Sequence, residues 1–219
     1  MPRDLATPPP ERFSLEGPGG SLACSLERPA QPAIATVLLL HPHPEHGGTR
    51  RNNVVRYGAL GALEAGAAAL RFDFRGAGES SGCFDHGRGE QEDGQFLLEW
   101  LQQEFPGLPS FVWGFSFGAW VGHALAAAQG DLCAGFFGVA WPSKFYSWPK
   151  DPWPKHSAFL FAESDEFSDA TAMVEPRQRN CTVESVPSAN HFFHNHLSSV
   201  RKFTAQQTRN RITDNFHPG

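Results

Sequence analysis

The fold of this chain is decided by the stretch Phe111-Val112-Trp113-Gly114-Phe115-Ser116-Phe117-Gly118. An apolar run precedes Gly114, and a helical run over residues 119–126 follows Gly118. Gly-x-Ser-x-Gly between a strand and a helix is typical of a sharp turn that strains the serine backbone and excludes side chains two residues away. The turn presents Ser116 at the carboxyl edge of a sheet, above the positive end of a helix. The pattern therefore predicts Ser116 as a nucleophile.

The sequence holds a second match to this pattern, Gly78-Glu79-Ser80-Ser81-Gly82. This match follows the polar turn 75–77 rather than an apolar strand, and no helical run begins at its end. The Gly-x-Ser-x-Gly pattern indicates a nucleophilic serine only where it lies between a strand and a helix. We therefore predict that Ser80 lies in a loop.

Apolar and helical segments alternate on both sides of the turn. Strand-like runs cover residues 34–40, 67–74, 110–115, 133–140, 157–162 and 181–186, and helical runs cover 49–66, 91–105, 117–129 and a segment from 196. Continuous apolar strands that alternate with helices indicate a mainly parallel sheet covered on both faces. The predicted fold class is α/β, a doubly wound, mainly parallel sheet flanked by helices. Residues 12–15 and 21–27, separated by Gly-Pro-Gly-Gly, indicate a hairpin before it.

The length of 219 residues suits one domain. We place that domain at residues 13–212, after a Pro-rich flexible lead-in at 1–12 and before a C-terminal tail at 213–219. One long irregular stretch, residues 141–156, holds five aromatic residues among four prolines. Its composition leaves open a short lid, a pocket wall and a plain surface loop.

The composition excludes several kinds of partner. With a net charge of −5 and no Lys/Arg-rich run, the chain lacks the basic surface of a nucleic-acid binder. The longest aliphatic run, Ile34–Leu40, is far short of the roughly 20 residues of a membrane span.

The four cysteines, Cys24, Cys83, Cys133 and Cys181, form no Cys-x-x-Cys pair. We expect a cytoplasmic protein with reduced thiols that acts on a small molecule; the sequence assigns no oligomeric state.

A nucleophilic serine needs a base, and the base needs a carboxylate to orient it. The apolar strand that ends at Ala162 is followed by Glu163-Ser164-Asp165-Glu166. We favour Asp165 as the carboxylate, with Glu163 as the alternative and Glu166 as a solvated loop charge.

The candidate base is His191. It follows the strand over 181–186 and the loop Ser188-Ala189-Asn190, where the chain can reach back over the sheet edge. This gives the order Ser, Asp, His that is usual for such a site. His194 and His196 lie close enough in the sequence to remain alternatives.

A histidine cluster, His41, His43 and His46, follows the strand-like run 34–40. With Glu45 or His191 it could form a metal site. The intervening prolines and the lack of i, i+4 helical spacing argue against it. We therefore predict no metal ligand and no cofactor.

An acyl-transfer site also needs at least two N–H donors for the oxyanion that forms. The amide of Phe117, the residue after the nucleophile, is one candidate. The second is expected in the loop after Leu40, where Pro42 and Pro44 have no N–H and His43 is best placed.

Four motifs stand in order along the chain: Leu39-Leu40-His41-Pro42-His43-Pro44 with Gly47-Gly48, Arg71–Ser80, Gly114–Gly118 and His191-Phe192-Phe193-His194. In them the chain resembles the α/β-hydrolase superfamily, and within it the small, largely capless, esterase-like hydrolases related to dienelactone hydrolases. The resemblance implies an α/β-hydrolase fold with little or no cap, a triad of Ser116, Asp165 and His191, and oxyanion donors at His43 and Phe117. It implies a structural role for Asp73 and Arg75.

These features predict a serine hydrolase that cleaves a carboxylic ester of a small molecule through an acyl-enzyme. The same triad serves thioester, amide and peptide substrates, and a non-catalytic binding protein on this fold is a further alternative. We expect Phe115, Trp141 and Phe192 to line an apolar substrate pocket, although each could belong to the core.

Overall fold

The computed structural model describes residues 9–169 and 171–216 as strands and helices in alternation. The strands are β1 (Glu11–Gly17), β2 (Gly20–Glu27), β3 (Ala35–Leu40), β4 (Ala67–Phe72), β5 (Ser110–Phe115), β6 (Gly135–Val139), β7 (Ala158–Ala162) and β8 (Thr182–Val186). The helices are α1 (Asn53–Glu64), α2 (Arg88–Glu104), α3 (Phe117–Ala128), α4 (Val174–Gln178) and α5 (Leu197–Phe216). A short 3-10 helix covers Pro44–His46.

All eight strands belong to one sheet, in the order β1-β2-β4-β3-β5-β6-β7-β8. β1 and β2 pair antiparallel, which confirms the predicted hairpin. β2 also pairs antiparallel with β4. Every other neighbouring pair, from β4 and β3 to β7 and β8, is parallel. The sheet is therefore mainly parallel, as the alternation of segments predicts.

Helices cover both faces of this sheet. On one face, Val55 of α1 and Phe203 of α5 share a core with Trp113 of β5. On the other face, Leu97 of α2 and Leu125 of α3 join further buried strand residues. Successive residues of a strand point to opposite faces, so a strand buried on both faces must be apolar throughout. The doubly wound arrangement is confirmed.

The parallel strands end at one edge of the sheet, and the loops that leave it carry the predicted site. β3, β5 and β7 end there at Leu40, Phe115 and Ala162. Ligands of α/β sheets bind outside the carboxyl ends of the strands. The loops after these three strands and after β8 therefore border the expected site.

The ends of the chain differ from the expected boundaries. β1 begins at Glu11, and α5 continues through residues 213–216, which were expected in the tail. Residues 1–8 of the predicted lead-in and 217–219 of the predicted tail lie outside the described residues. The sequence did not predict the 3-10 helix or α4, because segments this short show no periodicity. Over the described part of the chain, no helix combines the length and apolarity needed to cross a membrane.

Candidate active site

Ser116 alone forms the turn between β5 and α3. Its backbone has φ 57° and ψ −121°, a conformation that residues with a side chain rarely adopt. Its amide donates a hydrogen bond of 2.9 Å to the carbonyl of Val139, at the end of β6. The neighbouring strand thus helps to hold the strained turn that the sequence predicts.

Two glycines allow the close packing of this turn. A Cβ atom on Gly114 would overlap the backbone of Gly118, four residues further on. A Cβ atom on Gly118 would overlap the carbonyl oxygen of Leu40, the last residue of β3. The absence of both side chains therefore brings the first turn of α3 against the loop after β3.

Hydrogen bonds join Ser116, His191 and Asp165 into an unbroken chain. His191 Nε2 lies 2.9 Å from Ser116 Oγ, and His191 Nδ1 lies 2.9 and 2.8 Å from the two carboxylate oxygens of Asp165. Because an ionised carboxylate only accepts, the proton of the neutral imidazole is assigned to Nδ1. Nε2 can then accept the hydroxyl proton. The His191 and Asp165 side chains are only 3% and 2% exposed, which shields their contact from water.

The other two carboxylates of the loop after β7 have different partners. Glu163 Oε1 accepts a hydrogen bond of 2.7 Å from the hydroxyl of Ser185, on β8. Glu166 Oε2 accepts one of 3.4 Å from the backbone amide of His191 rather than from its ring. The amide of Phe167 donates to Asp165 Oδ1 over 2.8 Å and steadies that carboxylate. Among the three candidates, the contacts favour Asp165.

The two alternative histidines have no hydrogen bond to Ser116 among the described residues. The side-chain amide of Asn190 donates to His194 Nδ1 over 3.1 Å at the surface. The backbone amide of His196 donates to the carbonyl of Phe193 in the turn before α5. The ring that reaches Ser116 is that of His191.

The two predicted oxyanion donors lie on backbone segments beside Ser116. Phe117 is the first residue of α3, so its amide has no acceptor within the helix. The carbonyl of His43 accepts hydrogen bonds from the amides of His46 and Gly48, which curl the loop after β3 into a tight turn. The His43 ring packs on the Phe117 ring at a centroid distance of 4.9 Å.

In the histidine cluster, the His43 and His46 rings lie 4.6 Å apart, whereas both ring nitrogens of His41 have other partners. His41 is fully buried, its Nδ1 lies 2.6 Å from the carbonyl oxygen of Pro42, and its Nε2 accepts from the amide of Phe74 over 2.9 Å. Burial is the main cause that lowers its pKa to about 4, so the ring is neutral at pH 7. In residues 9–169 and 171–216, no three His, Cys, Asp or Glu side chains group in a way that could hold a metal ion.

Ser80, the serine of the second motif, lies in a loop as predicted. Its hydroxyl accepts from the amide of Ala23 over 2.9 Å and donates to the carbonyl of Asp73 over 2.7 Å. These bonds tie the turn after β4 to β2.

A cavity of about 480 Å³ opens over Ser116 and His191. Fourteen residues line it: Pro42, His43, His46, Gly47, Gly48, Asn52, Ser116, Phe117, Pro142, Phe145, Tyr146, Phe167, His191 and Phe192. None of these is Asp, Glu, Lys or Arg, and aromatic rings predominate. Such a wall suits an uncharged, largely apolar ligand.

Two of the three predicted pocket residues lie in the core instead. Phe115 is fully buried and packs against the His191 ring at 5.1 Å, and Trp141 stacks on Trp148 at 3.9 Å. Neither lines the cavity, whereas Phe192 does. The strand alternation turns Phe115 to the face covered by α1 and α5, so it supports His191 without reaching the ligand space.

The irregular stretch 141–156 forms one wall of the cavity, through Pro142, Phe145 and Tyr146. Its three indoles each donate a hydrogen bond to a backbone carbonyl: Trp141 to Tyr146 over 2.9 Å, Trp148 to Ala172 over 3.0 Å, and Trp153 to Pro149 over 2.9 Å. Of the alternatives that the sequence left open, these contacts favour a pocket wall.

Several lining residues were not predicted, among them His46, Asn52, Tyr146 and Phe167. Asn52 carries a local signal, because an Asn before a helical run is a typical N-cap. Its side-chain oxygen accepts from the amides of Val54 and Val55 at the start of α1. His46 belongs to the histidine cluster and Tyr146 to the stretch 141–156, both of which the sequence singles out without assigning these residues to the pocket, whereas Phe167 carries no such signal.

The mainly parallel sheet, with a serine at the elbow between β5 and α3, defines an α/β hydrolase of the serine type. The chain belongs to the X-Pro dipeptidyl-peptidase (S15) family, whose model matches residues 19–209. It is 38% identical over 119 residues to an uncharacterised protein of Rickettsia prowazekii, a stretch that covers 54% of this chain and 50% of that protein. The chain thus spans about half the length of this curated relative.

Two solved structures resemble the chain over nearly its whole length. One is an α/β serine hydrolase without a lid from Xanthomonas campestris, with a TM-score of 0.85, 28% identity and 96% of each chain covered. The other is an α/β serine hydrolase homologue from Coxiella burnetii, with a TM-score of 0.79, 32% identity, and 90% of this chain and 96% of that chain covered. These likenesses agree with the predicted hydrolase fold with little or no cap.

Proposed function

We propose that the protein hydrolyses a carboxylic ester of a small, uncharged molecule through an acyl-enzyme on Ser116. The observation that carries this proposal is the hydrogen-bond chain from Asp165 through His191 to Ser116, at the floor of a cavity that no Asp, Glu, Lys or Arg side chain lines. A positioned base and an orienting carboxylate are what a serine needs to become nucleophilic.

In the proposed mechanism, Ser116 Oγ attacks the ester carbonyl carbon while His191 Nε2 takes the hydroxyl proton. Asp165 stabilises the imidazolium that forms. The carbonyl oxygen becomes an oxyanion that accepts hydrogen bonds from the amides of Phe117 and His43. The carbon–oxygen bond to the alcohol then breaks, and the alcohol leaves with the proton from His191. Water, deprotonated by His191, hydrolyses the acyl-enzyme and restores Ser116.

A peptidase is the second candidate, because the matching family is named for X-Pro dipeptidyl-peptidases. An enzyme that releases dipeptides must hold the charged amino end of its substrate, usually on a carboxylate. The fourteen residues that line the described cavity include no Asp or Glu. We therefore favour an ester, and rank amide and thioester substrates behind it.

Labelling with a fluorophosphonate tests the nucleophile. Mass spectrometry should find one adduct, on Ser116, and the Ser116→Ala variant should take up none. Ser80→Ala is the matched control, since it removes a serine from the same sequence pattern, and should label like the parent protein. Folded protein without an adduct would favour a non-catalytic binding role.

The bond specificity is tested with matched substrates. An acetate ester, the corresponding thioester and amide, and an X-Pro dipeptide anilide should be compared by kcat/KM under one set of conditions. We expect the ester to be turned over fastest relative to its uncatalysed rate. A preference for the dipeptide anilide would replace the ester proposal with the peptidase.

We also propose a cytoplasmic setting. The support is that Cys24, Cys83, Cys133 and Cys181 are all free thiols, two of them buried. Disulfides form chiefly in oxidising compartments.

A further inference from the structure

The ring of His191 contacts two aromatic side chains of the cavity wall. Phe167 meets it edge-on at a centroid distance of 4.7 Å, and Phe192 does so at 5.2 Å. The two phenyl rings are 6.4 Å apart and nearly perpendicular to each other. Phe145, on the opposite loop, extends this aromatic surface, with its ring 5.9 Å from that of Phe167.

The chemistry of the proposed function gives this surface a place in the reaction. A leaving alcohol must receive its proton from His191 Nε2, so its oxygen has to come within hydrogen-bond distance of that atom. The group attached to this oxygen then starts beside the His191 ring. The side chains that contact the ring and also line the cavity are Phe167 and Phe192.

Part of this aromatic surface is exposed to solvent, although phenyl side chains are usually buried. The large hydrophobic side chains that the described residues leave open to solvent are Ile34, Phe145, Val174 and Phe192. Two of the four, Phe145 at 66% and Phe192 at 38% exposure, lie at this cavity. Exposed apolar surface at the mouth of a site is commonly covered by a ligand.

The charges of the lining residues limit the kind of leaving group that the cavity can bind. No Lys or Arg lines the cavity to hold a carboxylate or phosphate, and no Asp or Glu lines it to hold an ammonium. The ionisable side chains that line it are three histidines, so a charged group placed there would lose water without gaining a permanently charged partner. An apolar group would instead cover phenyl rings that are now in contact with water.

We propose that Phe167 and Phe192 form a leaving-group subsite beside His191 that selects esters of uncharged, apolar alcohols. This inference rests on the proposed ester hydrolysis and adds to it the part of the substrate that the enzyme recognises. Phe145 borders the subsite on its solvent side.

Matched esters test the subsite. Benzyl acetate and ethyl acetate share one acyl group, and their rates of hydroxide hydrolysis correct for the difference in leaving-group chemistry. We expect the corrected kcat/KM to favour benzyl acetate by about tenfold, the size of effect that burial of a few apolar carbons produces. Phe192→Ala should lower this ratio about threefold or more, and Phe192→Leu, which keeps an apolar side chain, should restore most of it.

A second ratio separates the leaving group from the acyl group. The preference between ethyl butyrate and ethyl acetate, which differ only in the acyl chain, should be unchanged by Phe192→Ala. Ile34→Ala, which truncates an exposed apolar side chain outside the cavity, should leave both ratios unchanged.

The subsite is refuted if benzyl and ethyl acetate are used equally well after correction, or if Phe192→Ala lowers both ratios to the same extent. Both results require an active enzyme, so they leave the proposed function standing. If the folded parent protein hydrolyses none of these esters and takes up no fluorophosphonate on Ser116, the proposed function is overturned, and the subsite with it.

Discussion

Arg50 and Asp73 form a buried ion pair that joins the loop after β3 to the turn after β4. Their side chains are 3% and 1% exposed. Asp73 Oδ1 also accepts from the backbone amide of Arg50 over 2.7 Å, and Oδ2 accepts from the amide of Glu79 over 2.9 Å. Because His43 belongs to the same loop as Arg50, we expect this pair to help fix the path of the loop that carries the proposed oxyanion donor.

Asp73→Asn should therefore weaken both the fold and the reaction. It leaves the buried Arg50 charge with only the half-exposed carboxylate of Glu79 as a counterion, and weakening a buried pair in this way costs about 3 kcal/mol of unfolding free energy. We also expect kcat to fall about tenfold with little change in KM, since a displaced oxyanion donor affects the transition state most. Urea unfolding and steady-state ester kinetics measure the two effects.

Glu79→Gln provides the control for this change. Glu79 contacts Arg50 and Arg51, but its side chain is 54% exposed. Because the Glu79 carboxylate stays in contact with water, its pairs with Arg50 and Arg51 contribute little, and this variant should stay close to the parent in both assays. An Asp73→Asn protein that is equally stable would show that the buried pair does not anchor the loop.

The sequence predicts the parts of this molecule that depend on local pattern. The elbow at Ser116 follows from the crowding of one turn, and the structure has its strained φ and its two close glycine contacts. The parallel sheet follows from apolar runs that can only be buried on both faces. The sequence leaves both Asp165 and Glu163 as candidates, because the direction in which the loop after β7 turns decides which carboxylate meets His191.

The pocket depends on packing that no local pattern records. Phe115 and Trp141 are as apolar as Phe192, yet the fold buries the first two and leaves the third at the cavity. Phe167 and Tyr146 reach the cavity from loops whose paths depend on distant contacts, such as the hydrogen bond from the Trp148 indole to the carbonyl of Ala172. Hydrophobicity predicts burial of such residues, but not which of them meets a ligand.

Replacement of Ser116 should separate catalysis from strain. Ser116→Ala and Ser116→Gly should both lower ester turnover by about 10⁴-fold or more, since each removes the nucleophile. Glycine adopts a φ of 57° without penalty. The free energy of unfolding of Ser116→Gly, measured with urea, should therefore exceed that of Ser116→Ala by about 1 kcal/mol. Equal stability of the two variants would argue that the elbow stores no backbone strain.

Gly118→Ala should disrupt the contact between α3 and the loop after β3. Its Cβ would overlap the carbonyl oxygens of Leu40 and His41, which are backbone atoms that cannot rotate away. We expect a loss of about 2 kcal/mol or more in unfolding free energy and a lower kcat, because the shift moves both oxyanion amides. Gly130→Ala, where a Cβ would meet nothing within 4 Å, should change neither quantity by a measurable amount.

His123→Phe should make the protein less sensitive to acid. His123 is fully buried among Trp141, Trp153 and Phe136, and neither ring nitrogen has a hydrogen-bond partner in the described part of the chain. Burial lowers its pKa from 6.5 to about 3. Between these values the unfolded chain binds a proton that the folded protein does not, so unfolding free energy falls as the pH drops from 6.5 towards 3.

At about 1.4 kcal/mol for each pH unit, His123 alone removes about 3 kcal/mol of unfolding free energy between pH 6.5 and 4. His123→Phe should abolish this part of the slope and keep the part that comes from His41, whose pKa is lowered by burial to about 4. Urea unfolding at pH 7, 6, 5 and 4 measures the difference. His194→Gln, a change at an exposed histidine, should give the same dependence of unfolding free energy on pH as the parent. If His123→Phe also gives the parent's dependence, His123 is protonated in the folded state and has a partner there.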